Sequence, residues 1–242
     1  MNKLSYYIQE KLKISSKSSV NEYKYYPENL KELKQIVKDK LEQEGKDANM
    51  NDIDTYKVTS MEELFVGLDP HNIDISGWDV SNVESFKNMF WHCRNFNCDI
   101  SKWYVNKATT LVNMFDGCYE FNCDLGIWNV SNVKTLMHTF SNCIKFEGKG
   151  LENWNISNCE SLYGTFKGCT EFNCDISNWD ISKVKYFSSC FEDCENLNCD
   201  FSKWKVKTED IYLKGMFFGC KKIIRDRKIP NWWPYKKLIY DE

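Results

Sequence analysis

One residue type returns along this chain at an almost constant interval. Six tryptophans stand 25, 25, 26, 25 and 25 residues apart, and an interval of roughly 20–50 residues is typical of proteins built from stacked repeats. Six phenylalanines and six cysteines follow the same interval, each cysteine three residues after its phenylalanine. The recurring residues are Trp78, Trp103, Trp128, Trp154, Trp179, Trp204, Phe90, Phe115, Phe140, Phe166, Phe191, Phe217, Cys93, Cys118, Cys143, Cys169, Cys194 and Cys220. We expect them to form a core in which equivalent side chains stack.

Two patterns alternate within each repeat. Trp78 and Val80 alternate with polar neighbours, which favours a very short half-buried strand. The apolar residues between positions 83 and 96 then step by three or four, which favours a short amphipathic helix. Parallel strands about 4.8 Å apart would stack identical side chains. The pattern predicts an α/β repeat solenoid of short parallel strands and short helices.

The regions that flank the repeats predict a cap at each end. Residues 53–224 hold one degenerate repeat and six full repeats, and an open stack needs caps to cover its end faces. Residues 27–52 predict an N-terminal capping helix, because apolar residues follow helical spacing between Pro27 and Gly45. Residues 225–242 predict a C-terminal cap, in which prolines stop regular pairing and two adjacent tryptophans cover the last repeat.

Residues 1–26 differ in pattern from the rest of the chain. Leu4, Ile8 and Leu12 recur every four residues with Tyr7 beside them, which predicts one apolar stripe on a short helix before a serine-rich linker. Two interpretations stay open. The helix could fold back on the body of the protein, or the segment could be a detachable address or docking peptide.

An aspartate recurs at the turn between repeats. Such a side chain accepts backbone N–H groups two or three residues further on, so we favour a role as turn cap over a calcium or ligand-binding ladder. The residues are Asp74, Asp99, Asp124, Asp175 and Asp200. The fourth full repeat departs from the pattern, because it reads Glu147-Gly148-Lys149-Gly150-Leu151 and is one residue longer. Two glycines around an insertion predict a bulged turn.

The sequence offers no pattern that favours an enzyme. Its three histidines fall at unrelated positions of the repeat, and no phosphate-binding or dinucleotide-binding loop occurs. Ten of the twelve cysteines occupy two repeat positions, and we expect these thiols to be reduced and structural. Zinc is disfavoured, because structural zinc ligands come as two closely spaced pairs that meet at one point. We therefore expect no catalytic residue, no metal and no cofactor.

Charge and hydropathy limit the partners that we expect. The formal net charge is −3, which gives no general attraction to nucleic acid or to an anionic membrane. No stretch approaches the roughly 18 apolar residues of a membrane-spanning helix, and no secretory signal is recognised. With thiols read as reduced, these features predict a cytoplasmic location, no membrane span and no nucleic-acid partner.

The repeat motif resembles that of a known family. The pattern Phe-Asn-x-Asp-Ile-Ser-x-Trp-Asp-Val-Ser-Asn-Val followed by Met-Phe-x-x-Cys resembles the repeat of BspA-like leucine-rich-repeat proteins, over about residues 28–224. The resemblance implies a right-handed, leucine-rich-repeat-like coil used for binding or adhesion. The chain departs from the family in having cysteine at 98, 123, 174 and 199, where glutamine or glycine is more usual, and in lacking a recognised wall anchor.

The start of the chain carries a second resemblance. Leu4-Ser5-x-Tyr7-Ile8-x-Glu10-Lys11-Leu12-x-Ile14 is similar to a short opening found on otherwise unrelated proteins of gut bacteriophages and large viruses. This likeness implies a shared delivery or packaging tag, and with it a virion-associated location.

Two functions follow as expectations. The first is a non-enzymatic module for protein–protein interaction or adhesion. The second is a phage- or virus-encoded structural or cargo protein with an N-terminal targeting peptide. In the first case, partner choice should depend on the variable positions between the fixed ones, namely Glu84, Lys87, Lys107, Thr110, Lys134 and Lys185.

Overall fold

The fold was analysed in a computed structural model, which describes residues 23–206 and 212–235. Helix α1 spans Leu30–Glu44, a 3-10 helix spans Leu151–Asn153 and helix α2 spans Lys221–Arg225. Nearly all of the remaining described chain consists of turns that stack repeat upon repeat. Repeat 1 begins at Met50, and repeats 2–7 begin at Ile75, Ile100, Leu125, Leu151, Ile176 and Phe201.

The predicted α/β solenoid of short parallel strands and short helices is wrong. Within the described ranges no β-strand forms, and single-residue parallel bridges such as Ser85–Thr110 connect neighbouring repeats. Where a strand was expected, the chain makes two consecutive turns, closed by the hydrogen bonds from Trp78 N–H to Ile75 O and from Val83 N–H to Val80 O. The leucine-rich-repeat-like architecture depends on such strands and is wrong for the same reason.

Alternate backbone N–H groups serve different repeats, and this explains the missing helices. Met89 N–H donates to Phe86 O at 3.1 Å, three residues back, and Cys93 N–H donates to Phe90 O at 2.9 Å. Phe90 N–H instead donates to Met114 O of the next repeat at 3.0 Å. An α-helix would send every N–H to its own chain four residues back. The spacing of three or four residues therefore belongs to a chain of turns.

Two positions in each repeat have a left-handed backbone, which interrupts both helix and strand. Asn88 has a φ of 56° and His92 has a φ of 58°, whereas a helix needs a φ of about −63°. At the second position, glycine alternates with other residues: Gly67, His92, Gly117, Asn142, Gly168, Asp193 and Gly219. A Cβ atom at Gly117 would lie 2.7 Å from His92 Nδ1. The larger side chain of one repeat thus covers the glycine of the next.

The first four repeat tryptophans, Trp78 to Trp154, stack in a ladder. Trp103 stacks on Trp78 and on Trp128 with centroid distances of 6.5 and 6.4 Å and nearly parallel rings. Each indole Nε1 also donates a hydrogen bond to the first carbonyl of the preceding repeat, as from Trp103 to Ile75 O at 3.1 Å. All six repeat tryptophans make this bond, at 2.9–3.3 Å. The indole therefore supplies both apolar contact and a polar link between repeats.

Phenylalanine and cysteine form a second ladder beside the indoles. The rings from Phe65 to Phe217 stack in sequence with centroid distances of 5.1–5.8 Å. Each cysteine that follows donates its S–H to the phenylalanine carbonyl of the preceding repeat, as from Cys118 to Phe90 O at 3.0 Å. The thiol is thus a hydrogen-bond donor that ties repeats together as well as a filler of the core.

The insertion in the fourth full repeat is accommodated by close backbone contact. Gly148 and Gly150 have φ values of 88° and 87°, and the 3-10 helix follows directly. A Cβ atom at Gly150 would lie 2.2 Å from Gly126 N and 2.4 Å from Gly126 Cα. Only glycine fits here, because the opposing atoms belong to backbone and cannot turn away.

Helix α1 closes the N-terminal end. Its N-cap is Asn29, whose side chain accepts the N–H of Glu32, so the helix begins three residues after Pro27. Leu33 and Val37 are fully buried and belong to the continuous core. The buried Lys40 Nζ lies 2.7 Å from Glu44 Oε1 and 3.1 Å from Asp52 Oδ1. The segment after α1 pairs one repeat ahead, with a bridge from Asn49 to Asp74.

Tryptophans also close the C-terminal end. Trp232 Nε1 donates to Phe201 O at 3.2 Å, and Phe201 is the first residue of repeat 7. Trp232 therefore continues the bonding pattern of the six repeat indoles. Trp233 packs edge-on against Phe217, the last ring of the phenylalanine ladder, at a centroid distance of 5.6 Å.

We expect Trp128→Ala to reduce the free energy of unfolding by about 3–5 kcal/mol, because it removes a ring from the middle of a ladder. A urea melt measures the change. Tyr56→Ala is the control, since 57% of Tyr56 is exposed, and it should change stability by less than about 0.5 kcal/mol. A loss below about 1 kcal/mol for Trp128→Ala would contradict the ladder as the main source of stability.

Gly150→Ala should destabilise the protein by about 1–3 kcal/mol more than Gly67→Ala. Both glycines have a positive φ, 87° and 76°, but no atom lies within 4 Å of a Cβ built at Gly67. Both variants place alanine at a positive φ, and the difference in urea midpoint therefore reports mainly the contact with Gly126. Equal losses for the two variants would refute close packing at the insertion.

Candidate binding groove at the C-terminal end

Exposed aromatic side chains gather on one outer face of the last repeats. Tyr186 and Tyr212 are 44% and 62% exposed, and their rings stack with centroids 5.2 Å apart. They continue a row of bridging residues that is small and polar in the earlier repeats: Ser60, Ser85, Thr110, Thr135 and Ser161. A row of hydroxyl side chains therefore becomes a row of aromatic rings towards the C-terminal end.

A groove lies beside this row, with a volume of about 950 Å³. We call it the C-terminal groove and define it by Tyr163, Lys214, Phe218, Trp233 and Tyr235. The other lining residues are Ser188, Ser189, Glu192, Gly215, Gly219 and Ile224. Phe218 is 67% exposed although it is a large apolar side chain. Exposed aromatic surface beside a concavity is typical of binding sites.

The backbone edge of repeat 7 contributes unpaired donors to the groove. In repeat 6, Ser189 N–H donates to Lys214 O at 2.9 Å and Asp193 N–H donates to Phe218 O at 2.8 Å. The equivalent residues of repeat 7 are Gly215 and Gly219, and both line the groove. Their N–H groups have no hydrogen-bond acceptor among the described residues. The pattern of backbone hydrogen bonds between repeats ends there.

A side-chain donor in the groove also lacks an acceptor. Trp233 is only 4% exposed, and its Nε1 is buried without a hydrogen-bond partner among the described residues. The neighbouring Trp232 Nε1, in contrast, is bonded to Phe201 O. A buried unpaired donor costs about 1–3 kcal/mol.

The charged groups in and beside the groove nearly balance. Lys167 Nζ lies 2.9 Å from Glu192 Oε1. Partial burial would raise the pKa of Glu192, but hydrogen bonds from Ser189 and Lys167 hold it below its usual value, so the carboxylate stays ionised and paired. Lys214 is exposed beside them, and the Asp193 carboxylate lies next to Gly219. The unpaired N–H groups therefore suit a ligand that brings hydrogen-bond acceptors.

A second depression differs in character from the C-terminal groove. It has a volume of about 740 Å³, lies beside the insertion and is lined by charged and small groups such as Glu147, Lys149 and Glu152. No aromatic side chain lines it. Lys149 Nζ lies 3.1 Å from Glu147 Oε2, so its charges partly neutralise each other. It offers less surface for a macromolecular ligand to bury.

The structure places the predicted core residues in ladders and not in a site. The six tryptophans are 1–5% exposed, and the six phenylalanines and six cysteines of the motif are at most 1% exposed. The variable positions lie on the surface instead. Glu84, Lys134 and Lys185 fall in one row of neighbouring repeats, next to the bridging row, whereas Lys107 bonds Asn82 Oδ1 on another side.

The five turn aspartates each accept a backbone N–H two residues further on. The distances from Oδ1 are 2.8–3.0 Å, to Ser76, Ser101, Gly126, Ser177 and Ser202. The backbone and side-chain hydrogen bonds from Ser177 lower the pKa of Asp175, and those from Ser202 lower the pKa of Asp200. Each carboxylate is therefore engaged within its own turn.

Sequence reasoning missed the groove residues Tyr163, Phe218, Trp233 and Tyr235 as a site. A signal existed in the bridging row, because aligned repeats show tyrosine at 186 and 212 where the others carry serine or threonine. The address-peptide prediction at Leu4, Tyr7, Ile8 and Leu12 lies outside the described residues.

Within the described ranges, no group of three or more histidine, cysteine, aspartate or glutamate side chains is arranged to hold a metal ion. Among the helices of the same residues, none is long and apolar enough to cross a bilayer.

Fold and groove together define a class: a tandem-repeat protein whose turns stack in register and whose last repeat ends in an aromatic groove. The family model described as "Mycoplasma protein of unknown function, DUF285" matches residues 31–150 and again residues 109–232. The chain therefore belongs to this family. The two matches overlap, as expected for a repeated unit that aligns in more than one register. No curated protein and no solved structure matches the chain.

Burial makes the thiols poorly reactive. All twelve cysteines are free, ten are buried, and Cys123 and Cys174 are half-buried. Burial raises the pKa of Cys123 to about 11 and of Cys174 to about 12. Since the thiolate is the reactive form, only about one Cys123 side chain in a thousand is ionised at about pH 8.

We therefore expect iodoacetamide to modify only Cys123 and Cys174 in the native protein, with a rate that rises about tenfold per pH unit between about pH 7 and pH 10. Peptide mass spectrometry locates the label, and unfolding in urea should expose all twelve thiols. Rapid native labelling of Cys143, which is fully buried, would contradict the ladder.

Proposed function

We propose that this protein is a non-enzymatic binding module that docks another protein, in interaction or adhesion, through the C-terminal groove. The observation that carries the proposal is the set of exposed rings at the last repeats, in which Tyr186 stacks on Tyr212 and Phe218 lines the groove. Aromatic residues in such positions dominate the binding energy of protein interfaces.

The rigidity of the stack supports the same proposal. The groove is built on repeats whose backbones are linked by several hydrogen bonds at each junction, such as Ser189 N–H to Lys214 O and Phe191 N–H to Met216 O. A site that is already ordered loses little conformational entropy on binding. Tyrosine adds contact area with few rotatable bonds, which favours its use in recognition.

The repeat motif supports a binding role by likeness. Its resemblance to the BspA-like proteins, which implies use in binding or adhesion, rests on the Trp-Asp-Val-Ser-Asn-Val and Met-Phe-x-x-Cys segments. We extend the family relation to the BspA-like proteins in this respect alone. The groove then supplies the specific surface that the repeat motif by itself does not.

Affinity capture with a matched pair of variants tests the proposal. The groove variant carries Phe218→Ser in the groove and Tyr212→Ser in the row beside it. The control variant carries Tyr26→Ser and Tyr56→Ser, which remove two aromatic rings of similar exposure elsewhere. A protein captured by the wild type from the cells that make it is purified and its affinity is measured directly. We expect the groove variant to bind at least about tenfold more weakly, and the control variant to bind like the wild type.

Urea melts of both variants check that the fold is kept, since all four side chains are exposed. The proposal fails if the partner binds the groove variant as tightly as the wild type. It also fails if the control variant loses as much affinity, because the contact would then not be located at the C-terminal groove.

A further inference from the structure

We infer that the C-terminal groove binds an extended peptide, whose carbonyl groups accept hydrogen bonds from the unpaired backbone N–H groups of repeat 7. The inference rests on the proposed function and names the form of the partner. The N–H groups of Gly215 and Gly219 and the Nε1 atom of Trp233 are its donors, and all three residues line the groove. None of the three donors has an acceptor among the described residues.

The stack itself shows the geometry that such a peptide would adopt. Asn88 and His92 occupy in repeat 2 the positions of Gly215 and Gly219 in repeat 7. Their N–H groups donate to Val112 O at 2.9 Å and to Asp116 O at 2.8 Å in repeat 3. The carbonyls of one chain segment, four residues apart, thus satisfy both donors. The peptide would take the place of an eighth repeat along this edge.

Trp233 gives independent support for a missing acceptor. Its ring is almost fully buried, yet its Nε1 is unpaired, whereas the seven other indoles of the same kind, from Trp78 to Trp232, all donate to a carbonyl. A buried donor without a partner costs free energy comparable to a lost hydrogen bond. Because Nε1 is closed off from solvent, a peptide carbonyl can remove this cost only if the segment around Trp233 shifts when the peptide binds.

The donors favour a peptide over other ligands. Backbone pairing at an open edge is a common mode of peptide recognition, in which main-chain bonds give affinity and side-chain pockets give specificity. Phe218 and Tyr235 provide apolar walls for those side chains. We therefore assign an extended peptide with apolar residues.

A synthetic probe follows from the stack. The acetylated and amidated peptide Thr-Thr-Leu-Val-Asn-Met-Phe-Asp-Gly copies residues 109–117 and contains the carbonyls of Val112 and Asp116. A peptide of the same composition in scrambled order is its control. Isothermal calorimetry with the full chain measures the affinity of both. We expect the copied peptide to bind with a Kd below about 1 mM, and the scrambled peptide to bind at least about fivefold more weakly.

A matched pair of tryptophan variants tests the buried donor. Trp233→Phe removes the unpaired Nε1 and should weaken binding of the probe about three- to tenfold. Trp232→Phe removes an Nε1 that is already bonded to Phe201 O, so it should leave the affinity unchanged. Phe218→Ser changes an exposed ring and keeps the test valid if a tryptophan variant unfolds; it should weaken binding at least about fivefold.

Amide hydrogen exchange measures directly whether the backbone donors are hydrogen-bonded. In the free full chain, the amides of Gly215 and Gly219 should exchange quickly, whereas those of the paired Ser189 and Asp193 should be protected. The probe should then slow exchange at both glycines. Protection of both glycines in the free chain would overturn the inference, because part of the same chain would already supply the acceptors.

The two proposals fail in different ways. No binding of the probe by the wild type, or binding that is indifferent to both Trp233→Phe and Phe218→Ser, overturns the peptide. If a captured protein partner still depends on Tyr212 and Phe218 while Gly215 and Gly219 exchange quickly in its complex, the proposed function stands and the inference does not. If binding of the captured partner does not depend on Tyr212 and Phe218, both the proposed function and the inference are wrong.

Discussion

The structure depends on one constraint on the backbone. In the consecutive turns of each repeat, alternate N–H groups must find their acceptors in the next repeat. Phe90 N–H reaches Met114 O, and its neighbours on either side bond within their own turn. The core side chains follow the same rule, because Trp103 Nε1 and Cys118 Sγ both donate to carbonyls of the preceding repeat. Buried polar groups must be paired. A repeat therefore satisfies its hydrogen bonds only through its neighbours.

The same constraint makes the two ends unequal. At the N-terminal end, α1 buries Leu33 and Val37 in the core. At the C-terminal end, Trp232 continues the indole pattern but the backbone pattern stops, which leaves Gly215 and Gly219 without acceptors among the described residues. The groove is thus a consequence of where the repetition ends. Its aromatic rings lie beside the backbone N–H groups that the stack leaves unpaired.

The positions of the core residues could be predicted from the sequence, but the local structure could not. The interval of 25 residues identifies Trp128 or Phe140 as core because stacking requires equivalence. A spacing of three residues is shared by helices and by consecutive turns, and only the left-handed positions distinguish them. Asn88 and His92 give no sign in the sequence that their backbone is left-handed, whereas the glycine at Gly117 does. The groove was missed because it depends on departures from the repeat, such as Tyr212 in place of serine, which a search for regularity discards.

Local coupling determines what the rest of the stack contributes to binding. Each repeat bonds only with its neighbours, so the shape of the groove is set by repeats 6 and 7, the edge of repeat 5 that carries Tyr163, and the segment around Trp233. Changes in earlier repeats reach the groove only through a series of intact junctions. The thiols keep those junctions closed, because burial raises the pKa of Cys143 and keeps its S–H protonated to donate to Phe115 O. The repeats therefore act as a rigid support, and recognition is concentrated where the repetition stops.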